Sequence, residues 1–248
     1  MALVFLPAAD IPRFVGEGNV HLGITGQDMV AEAEMTNLVT EVLPLGFGKC
    51  KLQVQVPEQS GIKSVEQLAG KKVVTSFEVL AGHYFGQLDN KVATTSGSKK
   101  TTIEYIGGSV EAACALGLAD GIESGETMRA AGLCAIETIL NSQAVLIRSN
   151  KSDPEAAELI ERVSRRIAGV IAAGKYVLCN YNIPRKSAPD ATKITPGRRA
   201  ATVSPLDDPE WVAVSSMVAK AEVADVMDKL QAVGATDILV INLSNCRV

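Results

Sequence analysis

The first two thirds of the chain alternate short β-branched segments with helical segments, and glycine-rich turns separate many of them. Val20 to Thr25 and Ile103 to Ile106 have the length and composition of buried strands. A chain that returns repeatedly from helix to strand favours parallel sheets covered by helices, because parallel strands need crossover connections. This part of the sequence therefore predicts an α/β fold.

The last third has a different order of elements. After a helix that begins at Pro154, the pattern predicts strands and helices in the order βαββαβ. These segments are Tyr176 to Tyr181, Pro184 to Ala191, Thr202 to Ser204, Val212 to Met217, Ala221 to Val233 and Asp237 to Asn242. That order is typical of ferredoxin-like domains, so a separate C-terminal domain is expected.

Charge and cysteine usage exclude several classes of protein. The net charge of −4 and the pI near 5.4 disfavour nucleic-acid binding, which needs a clustered basic surface. No apolar segment approaches the length of a membrane span, so neither nucleic acid nor a membrane is an expected partner. The five cysteines are odd in number and lack a CxxC pair, which favours reduced thiols in the cytoplasm over a zinc site or disulfides.

Two further segments carry expectations about local structure. Leu3 to Leu6 is an apolar run that Pro7 ends, and we predict a buried strand there. Phe77 to Leu88 is predicted as a helix, although Gly82 and Gly86 weaken it. Asp89 to Lys100 is rich in polar and small residues, which favours a mobile loop.

The segment Glu123 to Met128 is the main candidate for ligand chemistry. It follows a predicted strand, Ala119 to Ile122, and opens a helix, so free backbone amides and two hydroxyls would face an anion such as phosphate. Asp120 could hold ribose hydroxyls or Mg²⁺. An ordinary strand-turn-helix remains the alternative, because glycine-rich turns of this kind are common.

Five sequence blocks resemble ATP phosphoribosyltransferases of the long, fungal type. These blocks are Phe5 to Pro12, Leu22 to Gly26, Gly108 to Glu111, Glu123 to Leu133 and Trp211 to Met217. The final Ser244 to Val248 fits the same family. No single block is specific, but their order extends the resemblance over essentially the whole chain.

The resemblance implies a fold of two lobes, like those of periplasmic binding proteins, followed by a ferredoxin-like (βαββαβ) domain. Residues 1–56 and 144–174 would form lobe I, residues 57–143 lobe II, and residues 175–248 a histidine-binding regulatory domain. The implied reaction joins ATP to phosphoribosyl pyrophosphate (PRPP) and releases pyrophosphate, with Mg²⁺ as cofactor. Feedback inhibition by histidine and a cytoplasmic homo-oligomer, either dimer or hexamer, are also implied.

Matching positions identify site residues that the resemblance implies. Those for PRPP are Asp120, Glu123, Ser124, Gly125, Glu126 and Thr127. Ser109 and Glu111 would line the cleft. Those for regulatory histidine are Asn182, Arg198, Thr202 and Asp237. The resemblance assigns no catalytic residue proper and no metal ligand.

Two departures from the family pattern concern activity. The chain starts after the family's leading strand-helix segment, and Asp120-Gly121-Ile122 runs directly into Glu123-Ser124 where the family has four more residues. We therefore expect weak or no activity from this chain by itself. A regulatory or truncated relative of the enzyme is the second reading, and a periplasmic-type solute-binding protein is the third.

Overall fold

The computed structural model describes residues 2–96, 100–107, 119–124, 132–151 and 154–247. The chain divides into two compact units, Met1–Ile160 and Glu161–Val248. In the described residues the strands form sheets of three, five and four strands, accompanied by helices. The fold is therefore mixed α/β, as the sequence predicts.

The three-stranded sheet of the first unit is antiparallel, with strand order β1-β8-β2. It consists of β1 (Leu22–Gly26), β2 (Val39–Pro44) and β8 (Ala144–Ser149), with helices α1 (Ile11–Gly16) and α2 (Gln27–Glu32). Val15 and Val30 from the helices pack with Val145 and Ile147 of the sheet. These apolar side chains place the core between the helices and the sheet.

The five-stranded sheet of the first unit is mixed, with strand order β5-β4-β6-β3-β7. It consists of β3 (Cys50–Pro57), β4 (Lys72–Thr75), β5 (Thr102–Tyr105), β6 (Gly121–Ser124) and β7 (Leu133–Ser142). Strands β5, β4 and β6 are parallel, whereas β3 is antiparallel to β6 and β7. Helix α3 (Glu78–Ser96) adds buried Phe85 to the core beside Val54 and Val73. The prediction of parallel sheets is therefore wrong for the three-stranded sheet and correct for only three strands of this one.

The second unit contains a four-stranded antiparallel sheet with strand order β10-β11-β9-β12. Its elements follow the order βαββαβ. They are β9 (Tyr176–Pro184), α5 (Ala188–Ile194), β10 (Thr202–Pro205), β11 (Trp211–Ala219), α6 (Val223–Ala232) and β12 (Thr236–Asn242), preceded by α4 (Pro154–Ala173). Alternate residues of β9 and β11 are buried, because successive side chains of a strand point to opposite faces.

Two local predictions are wrong. Leu3 to Leu6 is not a strand, and Leu3, Val4 and Phe5 are 80%, 60% and 88% exposed. No described strand pairs with this segment, so its backbone lacks the hydrogen-bonded neighbour that a sheet requires.

Helix α3 continues to Ser96, eight residues beyond the predicted end at Leu88. Just past that end, the Asp89 carboxylate accepts hydrogen bonds from the backbone N–H and the hydroxyl of Thr101, at 2.7 and 2.6 Å. These tertiary contacts, with the buried Phe85 and Leu88, outweigh the weak helix propensity of the two glycines. Among the helices described, none combines the length and the apolar character that a bilayer span requires.

Candidate functional site

Strand β6 leads directly into the predicted phosphate-binding turn. Glu123 pairs with Thr75 of the parallel strand β4 and with Val54 of the antiparallel strand β3, and Ser124 pairs with Gln53. The strand predicted from the sequence ends at Ile122, which is two residues too early. Pairing with β3 extends the strand, so Glu123 and Ser124 belong to the sheet. Gly125, Glu126 and Thr127 lie outside the described residues.

Ser124 lies at the edge of the sheet where three parallel strands end. Thr75 is in register with Tyr105 of β5 on one side and with Glu123 of β6 on the other. Thr75 is fully buried, and its hydroxyl accepts a hydrogen bond of 2.8 Å from the Phe77 backbone N–H. Ligands of open α/β sheets bind beyond the carboxyl ends of the strands, so this edge is the favoured position for a substrate.

Asp120 lies at the opposite end of β6. Its carboxylate contacts Lys71 Nζ at 3.4 Å and accepts a hydrogen bond from the Lys72 backbone N–H at 3.2 Å. Four residues of extended strand separate it from Ser124, a path of about 13 Å. The described backbone therefore separates Asp120 from Ser124 by the length of β6, and a contact between Asp120 and the ribose stays a prediction.

An exposed aromatic residue that the sequence did not single out lies at the edge of the sheet where the parallel strands end. Tyr105, the last residue of β5, is 60% exposed. Its position two residues before the pair Gly107-Gly108 was the available signal, because small residues leave an aromatic ring uncovered. The two predicted cleft-lining residues, Ser109 and Glu111, lie outside the described residues.

The predicted histidine site has a polar pair at its centre. Asn182 of β9 donates a hydrogen bond of 3.0 Å from Nδ2 to Oδ2 of Asp237 in β12. The Thr236 hydroxyl donates to the same carboxylate oxygen at 3.1 Å. Asp237 has a φ of 51°, a conformation that Asp and Asn tolerate better than most residues. The structure thus brings two of the four predicted residues together.

The other two predicted residues lie farther along the sheet. Thr202 is exposed on the edge strand β10, and its partner Ser215 pairs in turn with Asn180 of β9. Two strand spacings separate β10 from β9, which is about 10 Å. Arg198 is exposed in the segment between α5 and β10, just after Gly197 with its φ of 63°. Thr202 therefore approaches Asn182 only through a ligand that spans this distance, and Arg198 stays a prediction.

Asn180 is a further polar residue that the sequence analysis did not single out. Its Oδ1 is buried and has no hydrogen-bond partner among the described residues. Buried acceptors are normally paired, so this oxygen marks a place where a donor is missing. Its spacing of two residues from Asn182, which places both side chains on one face of β9, was the signal in the sequence.

The described residues do not offer a cage for Mg²⁺. No cluster of three His, Cys, Asp or Glu side chains with metal-binding geometry occurs among them. The Asp120 carboxylate is already engaged by Lys71 and Lys72. A cleft of about 440 Å³ in the second unit is lined by Arg166, Ile167, Val170, Ile171, Asn245 and Arg247. None of the predicted site residues lines that cleft.

Comparison with known families matches nearly the whole chain. The family described as "HisG: ATP phosphoribosyltransferase" matches residues 7–169. The family described as "HisG, C-terminal domain" matches residues 173–245.

Fungal relatives match the full length of this chain. The ATP phosphoribosyltransferases of Yarrowia lipolytica and Debaryomyces hansenii are 58% and 56% identical over 252 and 257 residues, and each alignment covers 100% of this chain and 83% of the relative. A solved structure, the ATP phosphoribosyl transferase (HisG:HisZ) complex of Thermotoga maritima, aligns with a TM-score of 0.52 at 18% identity. That alignment covers 64% of this chain and 74% of the other, and it supports the fold alone.

Proposed function

The chain belongs to the ATP phosphoribosyltransferase family, the pentosyltransferases of histidine biosynthesis, and from this premise we propose how its residues serve the reaction. The observation that carries the proposal is the position of Ser124. It ends the central strand β6 at the edge where β4 and β5 also end. We assign this edge as the PRPP site.

Residues 124–127, which the sequence predicts as a turn, bind the 5-phosphate of PRPP. Free amides at the start of a helix, together with the hydroxyls of Ser124 and Thr127, suit a phosphate group. Because Glu123 and Ser124 are held in the sheet by β3 and β4, the strand fixes where the turn begins. Ser109 and Glu111 line the cleft, and Asp120 acts as a structural residue at the far end of β6.

The reaction is a substitution at C1 of the ribose. N1 of the adenine of ATP forms the new C–N bond while the C–O bond to pyrophosphate breaks, and pyrophosphate leaves with the bonding electron pair. The positive charge that develops on the ribose requires positioning and charge stabilisation, and no covalent intermediate with the enzyme. Mg²⁺ would enter with the phosphates of the substrates, since phosphate oxygens supply ligands that the described side chains do not.

The second unit is proposed to be a ferredoxin-like regulatory domain. Its βαββαβ order and its strand order β10-β11-β9-β12 support this assignment. Histidine would bind at the Asn182–Asp237 pair, with its ammonium group near the Asp237 carboxylate. Thr202 and Arg198 would contact the remainder of the ligand, and binding there would reduce the activity of the first unit.

A homo-oligomer, either a dimer or a hexamer, is proposed for the working protein. Strand β12 is an edge strand, and its Leu239, Val240 and Ile241 are 59%, 38% and 47% exposed. An exposed apolar edge favours association with another chain. We place the protein in the cytoplasm, because Cys50, Cys134, Cys179 and Cys246 are not disulfide-bonded and so fit a reducing compartment.

Release of pyrophosphate that depends on both PRPP and ATP tests the proposal, and we expect its rate to be low because of the two departures from the family pattern. We expect Ser124→Ala and Thr127→Val to raise the KM for PRPP by about tenfold each, because each loses a hydrogen bond to a charged group. Ser204→Ala changes an exposed hydroxyl of the second unit and serves as the matched control.

Two results of this assay would contradict the proposal. Unchanged KM values in both variants would exclude the turn as the PRPP site. No pyrophosphate release, combined with histidine binding in calorimetry, would assign this chain a regulatory role instead.

A further inference from the structure

The carboxylate of Glu32 joins the two sheets of the first unit. Glu32 ends α2, which follows β1 of the three-stranded sheet, whereas α3 follows β4 of the five-stranded sheet. Its Oε1 accepts a hydrogen bond from the Val79 backbone N–H and its Oε2 accepts one from the Leu80 backbone N–H, both at 3.0 Å. Both oxygens of one side chain therefore contact the first turn of a helix that belongs to the other sheet.

The chemistry of this contact makes it stronger than an ordinary surface interaction. The first amides of a helix lack partners within the helix, and the positive end of the helix dipole favours an anion there. Hydrogen bonds to an ionised carboxylate are stronger than neutral ones. Glu32 is only partly exposed, so solvent screens the contact less than it screens an exposed ion pair.

The two chain segments that connect the sheets lie side by side. Residues 45–49 join β2 to β3, and residue 143 joins β7 to β8. The Leu45 N–H donates to Ala144 O at 2.9 Å, the Ala144 N–H donates to Phe47 O at 3.0 Å, and the Gln27 N–H donates to Gln143 O at 3.1 Å. We call these paired segments the hinge, because rotation of one sheet against the other must pass through them.

We propose that Glu32 is a latch that limits how far the two sheets open about the hinge. A helix is usually capped by a residue that precedes it directly in the chain. The cap on α3 comes instead from 47 and 48 positions away and from the other sheet. Breaking it therefore removes a tether between the sheets as well as a cap. This inference concerns the conformation of the unit and does not depend on the proposed reaction.

Hydrogen exchange of individual amides, measured by NMR, tests the latch. Glu32→Gln keeps the shape of the side chain but loses its charge and one acceptor oxygen. We expect exchange at Val79 and Leu80 to become about tenfold faster, the change that corresponds to the loss of one charge-assisted hydrogen bond. If Glu32 restrains the sheets, the hinge amides of Gln27, Leu45 and Ala144 also exchange faster.

A matched variant and an internal reference make each outcome decisive. Glu34→Gln breaks the contact between Glu34 Oε1, in the turn just after α2, and His83 Nε2 of α3, which are 3.9 Å apart on exposed side chains, and should leave all five amides unchanged. Amides of Val54 and Val73, which are buried in the five-stranded sheet of the same unit, report unfolding of that unit. Faster exchange at Val79 and Leu80 alone would reduce Glu32 to a local cap and overturn the proposal, as would no change at any of the five.

Discussion

The side-chain amide of Asn182 donates a hydrogen bond to the carboxylate of Asp237 over 3.0 Å, and the pair joins β9 to β12 across 55 positions of the chain. Both side chains remain partly or fully exposed, so a ligand can reach them. An amide and a carboxylate together recognise a ligand that donates several hydrogen bonds, and the ammonium group of an amino acid is such a ligand.

Asp237→Asn should weaken histidine binding by about tenfold or more, because the charge opposite the ammonium group is lost. Asn is chosen because it tolerates the φ of 51° at this position, so the fold is retained. Calorimetric titration with histidine measures the change. Asp190→Asn removes an exposed charge on α5 and should leave the affinity unaltered. Equal affinities for Asp237→Asn and the unmodified chain would remove Asp237 from the histidine site.

Asp120→Asn distinguishes a structural role from a substrate contact. The side chains of Lys71 and Asp120 are 41% and 43% exposed. Loss of its charge should therefore cost at most about 1 kcal/mol of unfolding free energy and leave the KM for PRPP within about twofold. Urea unfolding and steady-state kinetics check the two values. A fall in kcat/KM of a hundredfold with an intact fold would show that Asp120 meets the ribose.

The sequence predicted the second unit well because its signals are local. Strands β9 and β11 bury every second residue, and helix α6 ends at Ala232, one residue before the predicted end at Val233. The position of Asp120 was not predictable in this way. Alternation along a strand tells which face a side chain occupies, but the end at which a ligand binds depends on the direction of neighbouring strands.

The length of β6 was also not predictable from the local sequence. Glu123 and Ser124 were assigned to a turn because small and polar residues follow them, yet Gln53 and Val54 extend the strand from about 70 positions away. The bonds from Glu32 to α3 span two sheets and likewise leave no local pattern. Contacts of this kind follow from tertiary packing, which overrides local propensity.

Alkaline pH should destabilise the second unit. Burial raises the pKa of Cys179 above its ordinary value of 9.0. Burial also raises the pKa of Tyr181 above its ordinary value of 10.0. The hydrogen bond with Thr195 lowers this pKa by less than burial raises it, and the charge of Cys179 adds a smaller rise. The native state therefore keeps protons that the unfolded chain loses. Their contribution to stability is complete below pH 9 and declines as the pH rises through 9 and 10.

The Tyr181→Phe variant tests how much of this loss of stability at alkaline pH comes from the tyrosine. The variant loses the hydrogen bond of 2.7 Å between the Tyr181 and Thr195 hydroxyls, so it should be about 1 kcal/mol less stable at pH 7. Above pH 10 its stability should fall less steeply, because one titrating group is gone. Urea unfolding across this range measures both effects. Tyr105→Phe, at an exposed position, is the control, and an equal slope for Tyr181→Phe and the unmodified chain would contradict the argument.

Two glycines in helix interiors should respond to alanine with opposite signs. Gly86 of α3 is exposed and has no atom within 4 Å of an added Cβ, so Gly86→Ala should stabilise the protein by about 1 kcal/mol through helix propensity.

At Gly169 of α4, an added Cβ would meet the Arg247 guanidinium and would lie 2.9 Å from the Cys246 carbonyl oxygen. The C-terminal segment crosses the helix there, since the Cys246 N–H donates to Gly169 O at 3.1 Å and Arg247 Nη1 donates to Arg165 O at 2.9 Å.

Gly169→Ala must displace that segment, and overpacking of this kind costs about 1–3 kcal/mol, which exceeds the gain in helix propensity. The thermal midpoint should fall for Gly169→Ala and rise for Gly86→Ala. Adding Arg247→Ala to Gly169→Ala should recover part of the loss, because one of the colliding side chains is then absent, whereas the backbone of Cys246 still resists. A thermal midpoint that rises for Gly169→Ala as it does for Gly86→Ala would mean that the C-terminal segment does not pack on α4 in solution.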